Sequence, residues 1–178
     1  MSETPSLESF YHYLCSVKTD YPYGIPAALF EEQAVTLEPE LSCLWGNGQV
    51  GVCFLAEFPP WKNHPFDSEE GRLLHAAISK GMKIMPEHVS IIDVNKLDSQ
   101  DVFSVLKNIV PEVILVLGKE VLKSLPEFKL SKFGETAEYD ETLIILAPAL
   151  SQVLTSPDNK RKLWSSLKTA LRRMGINA

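Results

Sequence analysis

The chain contains 178 residues, enough for one well-buried core, and its hydrophobic and charged fractions of 45% and 22% are ordinary for a globular protein. Its net charge of −6 argues against a surface that binds nucleic acid all over, because proteins of that kind are basic. The three cysteines, Cys15, Cys43 and Cys53, form neither a CxxC pair nor an even set, so we expect no zinc motif and no disulfide framework.

The first 45 residues are expected to form a helical and loop extension of a single domain that spans residues 1–178. A helix is predicted over residues 7–17 and a turn-rich link over residues 20–26. The amino terminus has neither the basic start nor the apolar stretch of a secretory signal, and no apolar run reaches the roughly 20 residues of a membrane-spanning helix. We therefore expect a cytoplasmic protein that has no membrane partner.

Four short apolar runs, rich in valine and isoleucine, are predicted to form strands. Their apolar residues are nearly continuous and do not alternate with polar ones, which is typical of strands covered on both faces. The runs cover residues 50–57, 88–94, 112–118 and 142–147.

Segments with helical spacing of apolar residues separate and follow these strands. Helices are predicted over residues 68–81, where Gly81 suits the stop, over residues 98–109 and over residues 119–125. The last helix has the clearest signals, with Ser156 as its N-cap and Pro157 in its first turn. Its apolar stripe consists of Leu163, Trp164, Leu167, Leu171 and Met174.

This alternation of strand and helix predicts an α/β fold of three layers, in which a four-stranded parallel sheet lies between helices and the crossovers are right-handed. In open sheets of this class, ligands bind beyond the carboxyl ends of the strands. The residues that follow each predicted strand are therefore the candidates for function.

Several chemically active side chains follow the predicted strands. Glu57 ends the first strand, Asp93 lies at the end of the second, and Gly118 and Lys119 follow the third. A carboxylate at such a position most often caps the next helix, and a Gly-Lys pair without a glycine-rich run is not a P-loop. The set is informative because all of these residues are expected at one edge of the sheet.

Five short motifs follow one another along this frame. They are Ala56-Glu57-Phe58-Pro59-Pro60; Pro65-Phe66 with Gly71-Arg72-Leu73-Leu74; Asp93-Val94-Asn95-Lys96; the strand over residues 113–118; and Ala147-Pro148-Ala149 followed by Ser156-Pro157 and a basic helix. In these motifs and their order, from about residue 50 to residue 174, the chain resembles the uracil-DNA glycosylase superfamily, most closely its family-four, iron–sulfur branch.

The resemblance implies a fold of the uracil-DNA glycosylase type and a nucleotide that is flipped out of DNA into a pocket. It implies that Glu57 positions or activates water, that Phe66 stacks on the flipped base, and that Asp93 recognises the base. It also places four further residues in the pocket and the DNA-contacting loops: Pro59, Lys96, Ala147 and Leu150.

Two replacements within these motifs argue against ordinary uracil excision. The family has an amide where this chain has Asp93, and an ionised carboxylate can only accept hydrogen bonds. The family has a histidine where this chain has Ala147, which cannot donate to the oxyanion of the leaving base. The cysteines of the family's cluster are missing as well, with Leu97 at one of their positions, so we expect no iron–sulfur cluster and no other cofactor or metal. The expected activity is base excision with altered specificity, or none.

Two other functions remain open from the sequence. The last helix holds six of the seventeen basic residues and predicts a local nucleic-acid contact. These residues are Lys160, Arg161, Lys162, Lys168, Arg172 and Arg173. The carboxyl half, with Ala147-Pro148-Ala149-Leu150 and Leu163-Trp164, is also similar to the psi subunits of bacterial clamp-loader assemblies. That likeness implies a non-catalytic subunit that binds another protein in a DNA replication or repair assembly.

Overall fold

The structure is a computed structural model that describes residues 43–59, 64–97 and 99–176. The predicted helix over residues 7–17, the turn over residues 20–26 and most of the predicted extension lie outside the described residues. Pro60 also lies outside them.

A six-stranded mixed sheet forms the centre of the described protein, with the strand order β1-β3-β2-β4-β6-β5. Its strands are β1 (Leu44–Trp45), β2 (Val52–Ala56), β3 (Ser90–Asp93), β4 (Val113–Leu117), β5 (Thr136–Tyr139) and β6 (Thr142–Ala147). The four predicted strands are confirmed as β2, β3, β4 and β6, and three of them are one or two residues shorter at their ends than predicted. They pair in parallel in the middle of the sheet, with Leu55 opposite both Ile92 and Val116.

The prediction of a four-stranded, purely parallel sheet is incomplete, because an antiparallel strand lies on each edge. β1 contains only two residues, and β5 reads Thr-Ala-Glu-Tyr with mostly exposed side chains, so neither strand has a buried apolar run. β5 and β6 are joined by Asp140 and Glu141, whose φ angles of 45° and 69° are positive. A two-residue hairpin turn of type I′ requires positive φ at both positions, and these are usually occupied by Asn-Gly or Asp-Gly.

Five α-helices accompany the sheet in the described residues: α1 (Glu69–Ala76), α2 (Ser99–Ile109), α3 (Lys119–Leu122), α4 (Leu150–Thr155) and α5 (Pro157–Arg173). A π-helical segment, Ala77–Met82, continues α1, and short 3-10 turns cover Pro86–His88 and Val94–Lys96. The predicted third helix is shorter than expected, and α4 was not predicted. The predicted N-cap of α5 is confirmed, since the Ser156 hydroxyl accepts from the Asn159 amide at 3.4 Å.

The end of the first helix differs from the prediction. Gly81 does not stop it, because the π-helical segment continues to Met82 and Lys83 follows in the left-handed conformation with φ of 58°. Gly81 has a packing role instead, since a Cβ built there would lie 2.9 Å from the Trp164 ring.

Helices cover both faces of the sheet, which explains why the strands read as continuous apolar runs. Within β2, Phe54 packs on the face covered by α1, α4 and α5, whereas Leu55 packs on the face covered by α2 and α3. The first core includes Leu74, Leu150, Leu163 and Leu167, and the second includes Val102, Leu106, Val121 and Leu125. None of the described helices has the length and apolar character needed to cross a membrane.

Candidate functional site

A cleft of about 330 Å³ opens at the carboxyl edge of the sheet, between the ends of β2 and β4 and beside the segment after β6. The chain runs from β2 outward to β3 on one side and then to β4 on the other side. Such a reversal of strand order leaves a crevice outside the carboxyl ends of the strands, where ligands of open α/β sheets bind. The cleft therefore lies where topology predicts a site.

The polar lining of this cleft is mostly acidic. Glu57 comes from the loop after β2, Glu70 from the first turn of α1, and Lys119 and Glu120 from the start of α3. Pro59 and Leu150 contribute apolar walls, and Ser151 and Gln152 contribute neutral polar groups. Three carboxylates against one ammonium make the cleft a poor host for the phosphates of a nucleic acid.

Gly118 shapes the cleft where β4 ends. Its φ of 116° is one that side-chain-bearing residues rarely adopt, and a Cβ at this position would lie 3.1 Å from the Ala149 Cβ. Its amide donates to the Ala147 carbonyl at 2.9 Å, which joins the ends of β4 and β6. Ala147 itself is fully buried in the core beneath α1, α4 and α5 and does not line the cleft.

Asp93 is buried, with 1% of its surface exposed, and its carboxylate binds the backbone. Its Oδ1 accepts from the Asn95 amide at 3.2 Å and from the Phe58 amide at 3.4 Å. The Asn95 side chain in turn donates to the Phe58 carbonyl at 3.2 Å. Burial raises the pKa of the Asp93 carboxyl, although these two amides and nearby Lys96 act in the opposite direction. The residue thus ties the loop after β2 to the turn after β3.

Phe66 lies in a cluster of four aromatic rings. Its ring centroid is 4.8 Å from that of Trp45, 4.7 Å from that of His64 and 5.0 Å from that of His75. The Phe66 amide donates to Nδ1 of His64 at 3.2 Å, which fixes the loop before α1. Gly71 allows this packing, since a Cβ there would lie 1.9 Å from the Pro65 carbonyl oxygen.

The structure brings together only part of the predicted site. Glu57, Pro59 and Leu150 line one cleft, whereas four other predicted residues are absent from its lining: Phe66, Asp93, Lys96 and Ala147. Sequence reasoning missed Glu70 as a cleft residue, because an acid in the first turn of a helix is already explained by the helix dipole. No group of three or more His, Cys, Asp or Glu side chains arranged to hold a metal ion occurs among the described residues.

The six predicted cations of the last helix all lie on α5, opposed by a single carboxylate of that helix, Asp158. Asp158 pairs with Arg161 at 3.1 Å, and both side chains are largely exposed. Arg173 pairs with Glu138 of β5 at 3.5 Å and donates to the Glu141 carbonyl. Lys162 and Lys119 both lie over the Phe133 ring, within 5.8 Å of its centroid. α5 thus presents a locally basic surface on an acidic protein.

No protein-family model matches the chain, and no curated protein sequence matches it either. The resemblance to uracil-DNA glycosylases therefore stays a prediction that depends on the motifs themselves.

Proposed function

We propose that this chain is a DNA-binding protein on a uracil-DNA glycosylase-like frame, that it lacks ordinary uracil excision, and that α5 is its contact surface. The observation that carries the proposal is the concentration of six cations against one carboxylate on that helix. Because the net charge of the whole chain is −6, the rest of the protein is more acidic than the total suggests. DNA would therefore bind α5 selectively, since neutralisation of phosphates by Lys and Arg supplies the sequence-independent part of the affinity.

Three features support the absence of ordinary uracil excision. The Oδ1 of Asp93 is held by two backbone amides, and the residue is almost fully buried. Ala147 has no side-chain donor, is fully buried and does not line the cleft. The cleft itself is acidic, which disfavours the flipped nucleotide and its phosphates.

The binding proposal is tested by fluorescence anisotropy with a labelled oligonucleotide over a series of salt concentrations. The wild-type protein should bind more weakly as salt rises, with the slope of log affinity against log salt growing by about 0.7 to 0.9 for each phosphate contacted. Replacing Arg161, Lys168 and Arg172 by glutamine should weaken binding and flatten this slope.

The matched control is a triple glutamine variant of lysines that lie outside α5, Lys107, Lys123 and Lys129, which changes the net charge equally. This control should keep the wild-type affinity and slope. Equal losses in both triple variants would mean that net charge, rather than α5, governs binding. An affinity that does not depend on the salt concentration would contradict the proposal.

Excision is tested separately with single-stranded oligonucleotides that carry uracil, hypoxanthine, xanthine or an alkylated base, followed by alkali to break the strand at abasic sites. We expect no breaks with uracil. Breaks on another substrate that disappear in Glu57→Gln would instead establish an altered-specificity glycosylase with Glu57 as its catalytic residue.

An apolar groove of about 200 Å³ favours a second candidate function, that of a protein-interaction subunit. Phe103, Leu125 and Phe128 line this groove, and Val110 and Tyr139 at its rim are 75% and 43% exposed. Exposed apolar side chains beside an apolar groove are typical of protein-binding surfaces. A pull-down from the source cell with wild type and with Val110→Asp should recover a specific partner with the wild type alone; equal recovery would exclude the groove as its binding site.

A further inference from the structure

Trp164 lies near the middle of α5 and is 38% exposed, although the sequence pattern assigned it to the apolar stripe. The benzo edge of its ring packs on Gly81, where a Cβ would lie only 2.9 Å from Cζ3. The Lys168 ammonium lies over the indole ring, 6.0 Å from its centroid, so a base that stacks on this face must displace it. The indole is thus supported along one edge by the π-helical segment and leaves part of its surface to the solvent.

Cations surround Trp164 on the outside of the helix. Residues three and four positions apart are neighbours on a helix surface, and Trp164 has Lys160 at i−4, Arg161 at i−3 and Lys168 at i+4. Its remaining neighbour of this kind, Leu167, is buried in the core. Every neighbour at these spacings that is not buried is therefore positively charged.

Lys160, Trp164, Lys168 and Arg172 form one row at successive intervals of four residues. At a rise of about 1.5 Å per residue, this row is about 18 Å long. None of the three cations in this row forms an ion pair with a carboxylate of the described residues: every such N···O distance exceeds 4.0 Å. No carboxylate of the described residues therefore neutralises these charges, which can neutralise phosphates instead.

We infer that this row binds single-stranded DNA, with one unpaired base stacked on Trp164 and the flanking phosphates on Lys160, Lys168 and Arg172. The inference rests on the proposed DNA-binding function and names the form of DNA that it takes. Aromatic side chains set among cations bind single strands with little sequence preference, because every base presents a π-face and the backbone follows the charges. Base pairs in a duplex are already stacked on one another, so duplex DNA can use only the cations.

The experiment compares wild type, Trp164→Leu and Trp164→Phe for binding to one labelled oligonucleotide as a single strand, as a duplex and as the RNA of the same sequence. Thermal unfolding of each variant checks that it folds. Trp164→Leu should weaken single-strand DNA binding by about 5- to 150-fold, which is the usual effect of losing one stacked base. Duplex binding should hardly change, and Trp164→Phe should recover most of the loss.

The salt dependence separates stacking from charge. Trp164→Leu should leave the slope of log affinity against log salt as in wild type, whereas Lys168→Gln should reduce its magnitude by about 0.7 on a single strand. Quenching of indole emission by the single strand gives an independent measure of stacking on Trp164. Because Trp45 and Trp61 remain in Trp164→Leu, quenching that is present in wild type and lost in this variant would be assigned to Trp164.

Each outcome has a distinct meaning. Equal losses on single strand and duplex, or no loss in Trp164→Leu, would overturn the stacking inference while leaving α5 as a DNA surface. Tighter binding of RNA than of DNA would overturn the assignment to DNA. A triple Arg161, Lys168 and Arg172 glutamine variant that binds every form as wild type does would overturn the proposed function itself.

Discussion

The carboxylate of Asp93 accepts a hydrogen bond from the amide of Phe58, 35 residues earlier in the chain, at 3.4 Å. This contact links the loop after β2 to the end of β3 across neighbouring parallel strands. A side chain that the motif order assigns to base recognition therefore holds two loops together at the carboxyl edge. Its contribution is to the shape of that edge.

Asp93→Ala should destabilise the protein, because it leaves the amides of Phe58 and Asn95 without their acceptor. An unsatisfied buried donor costs about 1–3 kcal/mol. Urea unfolding followed by circular dichroism measures the loss, and Asp67→Ala, at an exposed aspartate, serves as the control that should change little. Equal stabilities of the two variants would contradict the role given to Asp93.

Asp93→Asn tests the titration of the same carboxyl. Burial raises its pKa above the ordinary 3.8, so the folded protein holds this proton more tightly than the unfolded chain does. The contribution of Asp93 to the free energy of unfolding must therefore fall as pH rises from below 3.8 through the raised pKa. Because asparagine does not titrate, the stability of Asp93→Asn minus that of wild type should increase from about pH 3.5 to about pH 7. A difference that stays constant or decreases would be incompatible with a raised pKa.

Gly71→Ala should be severely destabilising, since its Cβ would meet the Pro65 carbonyl oxygen at 1.9 Å and the Phe66 Cα at 2.7 Å. Backbone atoms cannot move aside without a large energetic cost, so we expect the free energy of unfolding to fall by about 2–3 kcal/mol or more. Gly81→Ala is the matched helical control. Its Cβ meets only the end of the Trp164 side chain, so alanine's better helix propensity, about 1 kcal/mol, should offset most of the cost. Thermal unfolding compares the two variants, and similar losses would argue against the Pro65 contact.

Val110→Gly should stabilise the protein. Val110 follows α2 with a φ of 48°, and the left-handed conformation costs a side-chain-bearing residue about 1–2 kcal/mol. Since the side chain is 75% exposed, glycine gives up little burial. We expect a gain of about 1 kcal/mol in denaturant unfolding. Lys83→Gly, at the end of the π-helical segment where φ is also positive, is the control; lysine is not β-branched, so its gain should be smaller. A lower stability of Val110→Gly would mean that the contacts of the valine side chain stabilise the protein by more than the backbone strain destabilises it.

Cys53 should resist alkylation in the folded protein. It is fully buried in β2, and burial raises the pKa of its thiol, so the reactive thiolate is scarce. Incubation with iodoacetamide followed by peptide mapping should find Cys53 unmodified until denaturant is added. Modification of Cys53 at the rate of a free peptide cysteine would contradict the buried position of β2.

The elements that the sequence predicted well are those whose own residues decide their structure. The four inner strands are mostly apolar and largely buried, and α5 has an N-cap, a proline and an apolar stripe. β5 and α4 lack such signals, because β5 is stabilised by pairing with β6 and α4 ends directly at the N-cap of α5. These two elements depend on tertiary contacts that a local pattern does not contain.

The candidate site was predictable as a place but not as a set of contacts. Topology located the edge, and Glu57, Pro59 and Leu150 do line one cleft there. The paths of the loops after the strands decided the rest, since they put Phe66 among aromatic rings and the Asp93 carboxylate on a backbone amide. The packing of the Trp164 ring likewise depends on Gly81, which is distant in sequence.

The inner face of α5 has a consequence for any ligand that occupies its outer face. Leu163, Leu167 and Leu171 of this helix belong to the first core, which also contains residues of α1 and α4, so α5 cannot detach without unfolding the domain. DNA binding to the row of Lys160, Trp164, Lys168 and Arg172 would thus raise the free energy of global unfolding, and not merely suppress the fraying of one helix. By mass action, a single strand present at 100 times its dissociation constant should add about 2.7 kcal/mol to the free energy of unfolding. The melting temperature would then report occupancy of the helix, even though the ligand touches no core residue.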